Sequence, residues 1–227
     1  MITGQENINA LLANFARLTY RIALTNGDGG LAARSSCFLY QPDADKHPFV
    51  ITAGHGTPEK GAFIETPIRT DNETLTINAG NFQIFYDGEG GITDYAYSVL
   101  PLDLIKRDTQ GVPLVLETYQ YKFIKADKKG LYGFAVINSY EMVRISSGYG
   151  LQNYFCYEIG LTLSDQNDYF NYFKLPANFK GDEYYEGASG APIFDEEGAI
   201  TSILVGGSEA DGILKAFRLD NIELKYF

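Results

Sequence analysis

The stretch EGASGAP, at residues Glu186–Pro192, decides how the chain is interpreted. It places one serine, Ser189, between Gly187 and Gly190, and an alanine accompanies each glycine. Because glycine is disfavoured inside both helices and strands, the backbone here is expected to adopt an unusual local conformation. The stretch therefore indicates either a turn serine or a nucleophile held on exposed main chain.

The composition limits the classes of protein to which the chain can belong. Its 227 residues are 45% hydrophobic, so it can bury a sizeable core, and it holds no apolar run of membrane-spanning length. The net charge of −11 repels phosphate backbones and anionic lipids. We therefore expect neither nucleic acid nor a membrane as a partner.

The start of the chain, MITGQENINALLANF, lacks the basic segment with which a signal peptide begins. This predicts a cytoplasmic protein, although secretion stays open if a leader has been removed. The two cysteines, Cys37 and Cys156, are far apart and have apolar, aromatic neighbours. They are predicted to be buried, reduced and unpaired, and two cysteines with two histidines make a structural zinc site improbable.

Most of the chain alternates between short strand-like runs and turns rich in Gly, Asn and Asp. Examples of the runs are LTYRIAL, PFVITAG, DYAYSVL and AITSILVGG. This pattern predicts a β-sandwich or β-barrels. Only the N-terminus has a clear helical period, with Ile8, Leu11, Leu12 and Phe15 on one face, which predicts a packing helix.

A serine nucleophile needs a base within hydrogen-bond reach and a third group that orients the base. Histidine suits the first task because its pKa lies near neutrality. The chain offers His47, in the polar loop DADKHPF, and His55, where the apolar run VITAGHG ends. Asp94 opens the apolar strand DYAYSVL and is the expected orienting carboxylate. Taken alone, His55 can also be interpreted as a structural histidine at the rim of a core, and Asp94 as an aspartate that caps a turn.

Three of these motifs together resemble the chymotrypsin-like (trypsin-fold) serine peptidases: VITAGHG, TDYAYSVL and GASGAPIF. Their order is His55, Asp94, Ser189, whereas the nucleophile elbow of α/β hydrolases predicts the order Ser, Asp, His. The resemblance covers roughly residues 18–222. It lies nearest the bacterial glutamyl-endopeptidase and HtrA-type members.

The resemblance implies an all-β fold of two antiparallel β-barrels with a short N-terminal helix. The expected domains are the helix at 1–17, a first barrel at 18–110 that carries the histidine and aspartate, and a second barrel at 111–227 that carries the serine. It implies a serine endopeptidase that acts on polypeptides through an acyl-enzyme. No cofactor and no metal are implied.

The same resemblance implies a role for each site residue. His55 would take the proton of Ser189, and Asp94 would hold the imidazole. The backbone N–H groups of Gly187 and Ser189 would form the oxyanion hole. The expected substrate-binding residues come from the segments on either side of the serine motif, and they are Glu183, Tyr184, Val205, Gly206 and Gly207. Glu183 has two interpretations, a pocket acid that attracts Lys or Arg and a solvated loop acid.

The chain departs from the digestive members at Ala188, where they carry an aspartate that pairs with a newly cut N-terminus. That ion pair is therefore unavailable, and we predict that the N-terminal helix packs outside the barrels without any need for cleavage. A regulatory protein partner is a further expectation. Two other functions stay open: a catalytically silent binding module of the same fold, and an esterase-type acyl hydrolase that uses the same triad.

Overall fold

The computed structural model describes residues 5–25, 31–56, 62–70, 73–86, 92–109, 112–145 and 148–226. Most of these residues lie in antiparallel strands, which form a seven-stranded sheet, a closed six-stranded barrel and a separate hairpin. The predicted all-β class is thus confirmed, with one difference of detail: the first unit curls into a half-barrel rather than closing. Among the described helices, none has the length and apolar character needed to cross a bilayer.

The first sheet is built from strands in the N-terminal half of the chain. These are β1 Tyr20–Thr25, β2 Leu31–Tyr40, β3 Phe49–Ala53, β4 Ala62–Thr70, β5 Glu73–Asn78, β6 Gln83–Tyr86 and β7 Ile92–Val99. Their order across the sheet is β5-β4-β1-β2-β3-β7-β6. Every residue of β3 is buried, because side chains on both of its faces meet apolar neighbours. A 3₁₀ turn, Gly54–Gly56, follows β3 directly.

The second unit is a barrel that closes in the order β10-β11-β12-β15-β14-β13. Its strands are β10 Leu131–Ile145, β11 Gly148–Gln166, β12 Phe170–Lys174, β13 Pro192–Asp195, β14 Ile200–Ser208 and β15 Ile213–Arg218. The short helix α3, Asp182–Tyr185, lies between β12 and β13. The hairpin β8 Lys106–Thr109 and β9 Val112–Val115, preceded by α2 Leu102–Ile105, stands between the two units in sequence.

The predicted N-terminal helix is present as α1, Gln5–Arg17. Its buried face includes Leu12 and Phe15, and the ring of Phe15 stacks on Phe194 of β13 at 4.5 Å between centroids. The helix therefore packs against the side of the closed barrel. The domain boundaries given above stay a prediction, although the sheet and the barrel follow each other along the chain in the expected order.

A shared apolar core joins the two units. It combines Phe38 and Ile51 of the first sheet with Ile203 and Phe217 of the barrel. Tyr95 of β7 stacks on Phe217 with 4.6 Å between the ring centroids. Burying one large apolar side chain stabilises by about 1.5–3 kcal/mol. This shared core, the seam between the two units, therefore holds the first sheet against the barrel.

Both cysteines are buried and unpaired, as the sequence predicts. Cys37 lies in the core of the first sheet and Cys156 in the core of the barrel. Burial raises the pKa of the Cys37 thiol well above its usual value and raises the pKa of Cys156 to about 12. Since the thiolate is the reactive form, both side chains behave as inert core residues.

Candidate active site

The register of two neighbouring strands brings His55 and Asp94 together. Ala53, the last residue of β3, is paired with Tyr95 of β7. His55 follows that pair by two residues on one strand, and Asp94 precedes it by one residue on the other. Antiparallel pairing therefore places both side chains beyond the same end of the β3–β7 pair.

The imidazole of His55 bridges the carboxylate of Asp94 and the hydroxyl of Ser189. Its Nδ1 lies 2.5 Å from Asp94 Oδ1, and its Nε2 lies 3.2 Å from Ser189 Oγ. The backbone N–H of His55 also donates to Asp94 Oδ1 at 3.1 Å. With the proton on Nδ1, facing the carboxylate, Nε2 is left as an acceptor towards the serine hydroxyl.

The surroundings raise the pKa of His55 above its usual value of 6.5. The hydrogen bond to Asp94 is the largest cause, burial opposes it, the charge of Asp94 adds to it, and the charge of Lys215 opposes it. The imidazole side chain is 43% exposed and the Asp94 carboxylate 18%. His55 can accept a proton only when it is neutral, so the arrangement is suited to general-base chemistry above this raised pKa.

Asp94 has a positive φ of 68°, which among the described non-glycine residues occurs nowhere else. Aspartate tolerates the left-handed region better than most residues, but the conformation still carries strain of about 1–3 kcal/mol. It turns the carboxylate out of the strand towards His55. The strain is therefore located at the residue that orients the imidazole.

Ser189 follows a tight turn whose type is fixed by its backbone angles. Ala188 N–H donates to Tyr185 C=O at 3.0 Å, which closes a four-residue turn. Glu186, at φ −55° and ψ 129°, and Gly187, at φ 78°, have the angles of a type II turn. The third position of such a turn requires a positive φ, which explains Gly187.

This turn leaves two backbone donors free beside the serine. Within the described ranges, no oxygen accepts the N–H of Gly187 or of Ser189. The two carbonyls, in contrast, are held by the first sheet: Ser36 Oγ donates to Gly187 C=O at 2.7 Å, and Ser36 N–H donates to Ser189 C=O at 2.7 Å. Ser35 Oγ donates to the same Ser189 carbonyl. Two unpaired N–H groups next to a serine hydroxyl can stabilise an oxyanion.

Gly190 is required by close packing between the two units. Its φ is +87°, and a Cβ at this position would collide with the carbonyl oxygen of Ser36 and the hydroxyl of Thr52. Only glycine satisfies both the backbone conformation and the space. The two glycines near Ser189 are therefore required for different reasons. Gly187 allows the positive φ of a turn, and Gly190 allows a close contact with the first sheet.

A cavity of about 390 Å³ opens next to Ser189. Three carboxylates, Asp182, Glu183 and Glu186, stand along it. Its other lining residues are apolar side chains, glycines and the serine itself, namely Phe179, Tyr185, Gly187, Ser189, Leu204, Gly206, Gly207 and Leu214. The cavity therefore combines an apolar wall with negative charge, which suits a long side chain that ends in a cation.

The expected substrate-binding residues divide into two groups. Glu183, Gly206 and Gly207 line the cavity, whereas Tyr184 and Val205 are outside its lining. The Tyr184 hydroxyl donates to the backbone carbonyl of Tyr157 at 3.0 Å, and Val205 is 7% exposed. Tyr185, the neighbour of Tyr184, forms the aromatic wall instead.

The second histidine has a structural contact. His47 Nδ1 accepts the backbone N–H of Leu102 at 2.9 Å, which fixes the start of α2. In the described part of the chain, His, Cys, Asp and Glu side chains do not gather into a group of three that would hold a metal ion.

The comparisons with known proteins give a likeness of fold. No family profile and no curated protein matches the sequence. A Glu endopeptidase structure matches 92% of this chain and 88% of its own at 13% identity, with a TM-score of 0.51. A thermostable serine protease, AL20, from an extremophilic microorganism matches 91% and 93% at 15% identity, with a TM-score of 0.52. A mutant of the Tobacco Etch Virus protease matches 96% and 78% at 12% identity, with a TM-score of 0.56.

The chain has the chymotrypsin-like serine protease fold. In this fold the sequence-predicted residues His55, Asp94 and Ser189 meet where the half-barrel faces the closed barrel. Sequence reasoning missed Ser35 and Ser36, which bind the serine loop across that seam. Two adjacent serines in a strand carry no signal by themselves, because their partners lie about 150 residues away in the chain.

Proposed function

We propose that the protein is a serine endopeptidase that uses His55, Asp94 and Ser189 as a catalytic triad. The observation that carries the proposal is the continuous hydrogen-bonded chain from Asp94 Oδ1 through the imidazole to Ser189 Oγ, at 2.5 Å and 3.2 Å. Two further features support it: the free N–H groups of Gly187 and Ser189, and a cavity that adjoins the serine.

In the proposed reaction, Ser189 Oγ attacks the carbonyl carbon of the scissile peptide bond while its proton passes to His55 Nε2. The carbonyl oxygen becomes an oxyanion, which the N–H groups of Gly187 and Ser189 receive. His55 then gives its proton to the leaving amine as the C–N bond breaks. Asp94 stabilises the imidazolium that forms between these steps. Water then attacks the carbonyl carbon of the acyl-enzyme and gives a proton to His55. The ester bond to Ser189 Oγ breaks, Ser189 regains its proton from His55, and the carboxylic acid product leaves.

We further propose that an extended substrate pairs with β14 beyond Leu204. Up to Ile203 this strand has neighbours on both sides, β13 and β15. From Gly206 to Ser208 the described ladder pairs it with β15 alone, which leaves one edge for a substrate strand. Such pairing would direct the side chain before the scissile bond into the cavity, past Gly206 and Gly207.

The three carboxylates along the cavity favour a substrate side chain that ends in a cation. Asp182, Glu183 and Glu186 are exposed, so the preference they give over a neutral side chain is modest. Lysine or arginine before the scissile bond is the expected preference. A regulatory protein partner stays a prediction from the sequence alone.

A peptide-library digest tests the function directly. The protein is incubated with a mixture of peptides that covers all residue types, and the cleaved bonds are identified by mass spectrometry. We expect cleavage after basic residues by the native protein and none by the Ser189→Ala variant. Equal cleavage by both proteins would refute the triad. A native protein that leaves peptides intact but hydrolyses p-nitrophenyl acetate would be an esterase-type hydrolase, and one that does neither would be a binding module.

A further inference from the structure

A buried carboxylate lies behind the wall of the cavity, away from His55 and Asp94. Glu158, on β11, is only 4% exposed. Its Oε1 accepts the hydroxyl of Tyr185 at 2.7 Å and binds Lys180 Nζ at 2.8 Å. A buried charge is costly unless it is paired and hydrogen-bonded, so these two contacts account for its presence in the barrel.

The short helix α3 is fastened to β11 by both of its tyrosines. The Tyr184 hydroxyl accepts the backbone N–H of Tyr157 at 3.1 Å and donates to the carbonyl of the same residue at 3.0 Å. Tyr185 donates to Glu158, the next residue of the strand. Lys180 covers the Tyr184 ring, with 4.4 Å between Nζ and the ring centroid. The end of α3 is therefore fixed at two adjacent points of β11.

Tyr185, which is bound to Glu158, is also the first residue of the type II turn. The Tyr185 carbonyl accepts the Ala188 N–H, and the two residues between them are Glu186 and Gly187. Types I and II of this turn differ by a rotation of the central peptide through roughly 150–170°. A change to type I would therefore turn the Gly187 N–H away from its present direction and remove one of the two donors beside Ser189.

We propose that Glu158 is a positioning residue, which acts through Tyr185 to hold this turn in its type II form. Ser36 fixes the far end of the turn from the other unit, through the Gly187 carbonyl. Ala188, the last residue of the turn, is buried and apolar, so its own side chain makes no polar contact that could hold the turn. This inference rests on the proposed function, because the two N–H groups matter only if Ser189 forms an oxyanion.

The Tyr185→Phe variant distinguishes a positioning role of the Tyr185 hydroxyl from a role of the ring as part of the cavity wall alone. It removes the hydroxyl that binds Glu158 and keeps the aromatic ring that lines the cavity. The substrate is p-nitrophenyl acetate, whose acetyl group is too small to reach the wall. Because oxyanion donors act in the transition state, we expect the maximal rate of the acylation burst to fall roughly tenfold while KM changes less than about twofold.

Amide hydrogen exchange supplies a readout that does not depend on catalysis. In Tyr185→Phe, exchange of the peptide that covers residues 182–190 should become roughly five- to tenfold faster. Tyr169→Phe is the matched control, since Tyr169 is 51% exposed and lies on the connection between β11 and β12. It should change neither readout. Glu158→Gln keeps an acceptor for Tyr185, so it should retain more of the burst rate than Glu158→Ala.

The outcomes distinguish this inference from the proposed function. Faster exchange together with a slower burst supports the positioning role. Unchanged exchange in Tyr185→Phe overturns the anchor, and faster exchange with an unchanged burst overturns its importance for catalysis. If the native protein neither cleaves peptides nor hydrolyses p-nitrophenyl acetate, the proposed function fails and with it the catalytic role of Glu158, whereas exchange still decides whether Glu158 holds the turn.

Discussion

The two halves of the site are held in different ways. In the half-barrel, His55 and Asp94 stand at the end of two paired strands, and the pairing of Ala53 with Tyr95 brings them to the same end of the sheet. In the closed barrel, Ser189 stands on the loop between α3 and β13. That loop depends on side chains from elsewhere, Ser36 of the other unit and Glu158 behind the cavity. The pairing of two strands therefore places His55 beside Asp94, whereas side chains from other elements hold the loop that carries Ser189.

The largest effect is expected from Asp94→Asn, which breaks the half-barrel side of the site. Asparagine tolerates the positive φ of this position as well as aspartate does, so the fold should be kept. It removes the charge and no longer holds the proton on Nδ1 of His55. We expect a fall of about 10³–10⁴-fold in kcat/KM. Steady-state kinetics on a peptide substrate, with thermal unfolding as the control for folding, measures it.

On the barrel side of the site, the largest effect is expected from a substitution of Gly190. Gly190→Ala places a methyl group against the Ser36 carbonyl and strains a φ of +87°. We expect the free energy of unfolding to fall by about 1–3 kcal/mol and the hydrolysis rate to fall at least tenfold, because the serine loop must move. Gly198→Ala is the matched control: its φ is +85°, but it has no neighbouring atom within 4 Å. That variant should lose about 1 kcal/mol and keep its rate, and an equal loss of rate in both would contradict the contact argument.

The pH dependence of activity tests the contact between His55 and Asp94 on the half-barrel side of the site. Its raised pKa means that the protonated, inactive form persists to a pH above 6.5. Activity should therefore rise with pH through a midpoint above 6.5 and fall about tenfold for each unit below it. In Asp94→Asn the midpoint should move down, because the main cause of the raised pKa is lost. A native midpoint below 6.5, measured from kcat/KM against pH, would contradict the hydrogen-bonded pair.

The smallest effect is expected from Glu183→Gln at the cavity. The carboxylate is exposed, so its loss should reduce the preference for lysine or arginine over a neutral residue only about two- to fivefold. The ratio of kcat/KM for matched peptides with lysine and glutamine before the scissile bond measures the preference. Glu197→Gln, on the exposed turn between β13 and β14, should leave the ratio unchanged. An unchanged ratio in Glu183→Gln would assign that residue to the solvated surface.

The sequence predicted the parts of the molecule that follow from local pattern. Strand alternation and the helical period predicted the β class and helix α1, and the ordered motifs singled out His55, Asp94 and Ser189, whose side chains the structure brings into contact. The pattern did not reveal that the first unit remains a half-barrel, because closure depends on which edge strands meet. It also missed Ser36 and Glu158, whose partners lie 151 and 27 residues away along the chain. Such contacts leave no periodic trace in the sequence.

The most direct test of the central claim is covalent labelling by a fluorophosphonate, read by intact mass and peptide mapping. The probe reacts with a serine only when a base and oxyanion donors activate it. We predict one adduct per chain on Ser189 of the uncut native protein, and no adduct in a folded Ser189→Ala variant. A folded native protein that stays unlabelled, or a Ser189→Ala variant that labels at the native rate, would contradict the account.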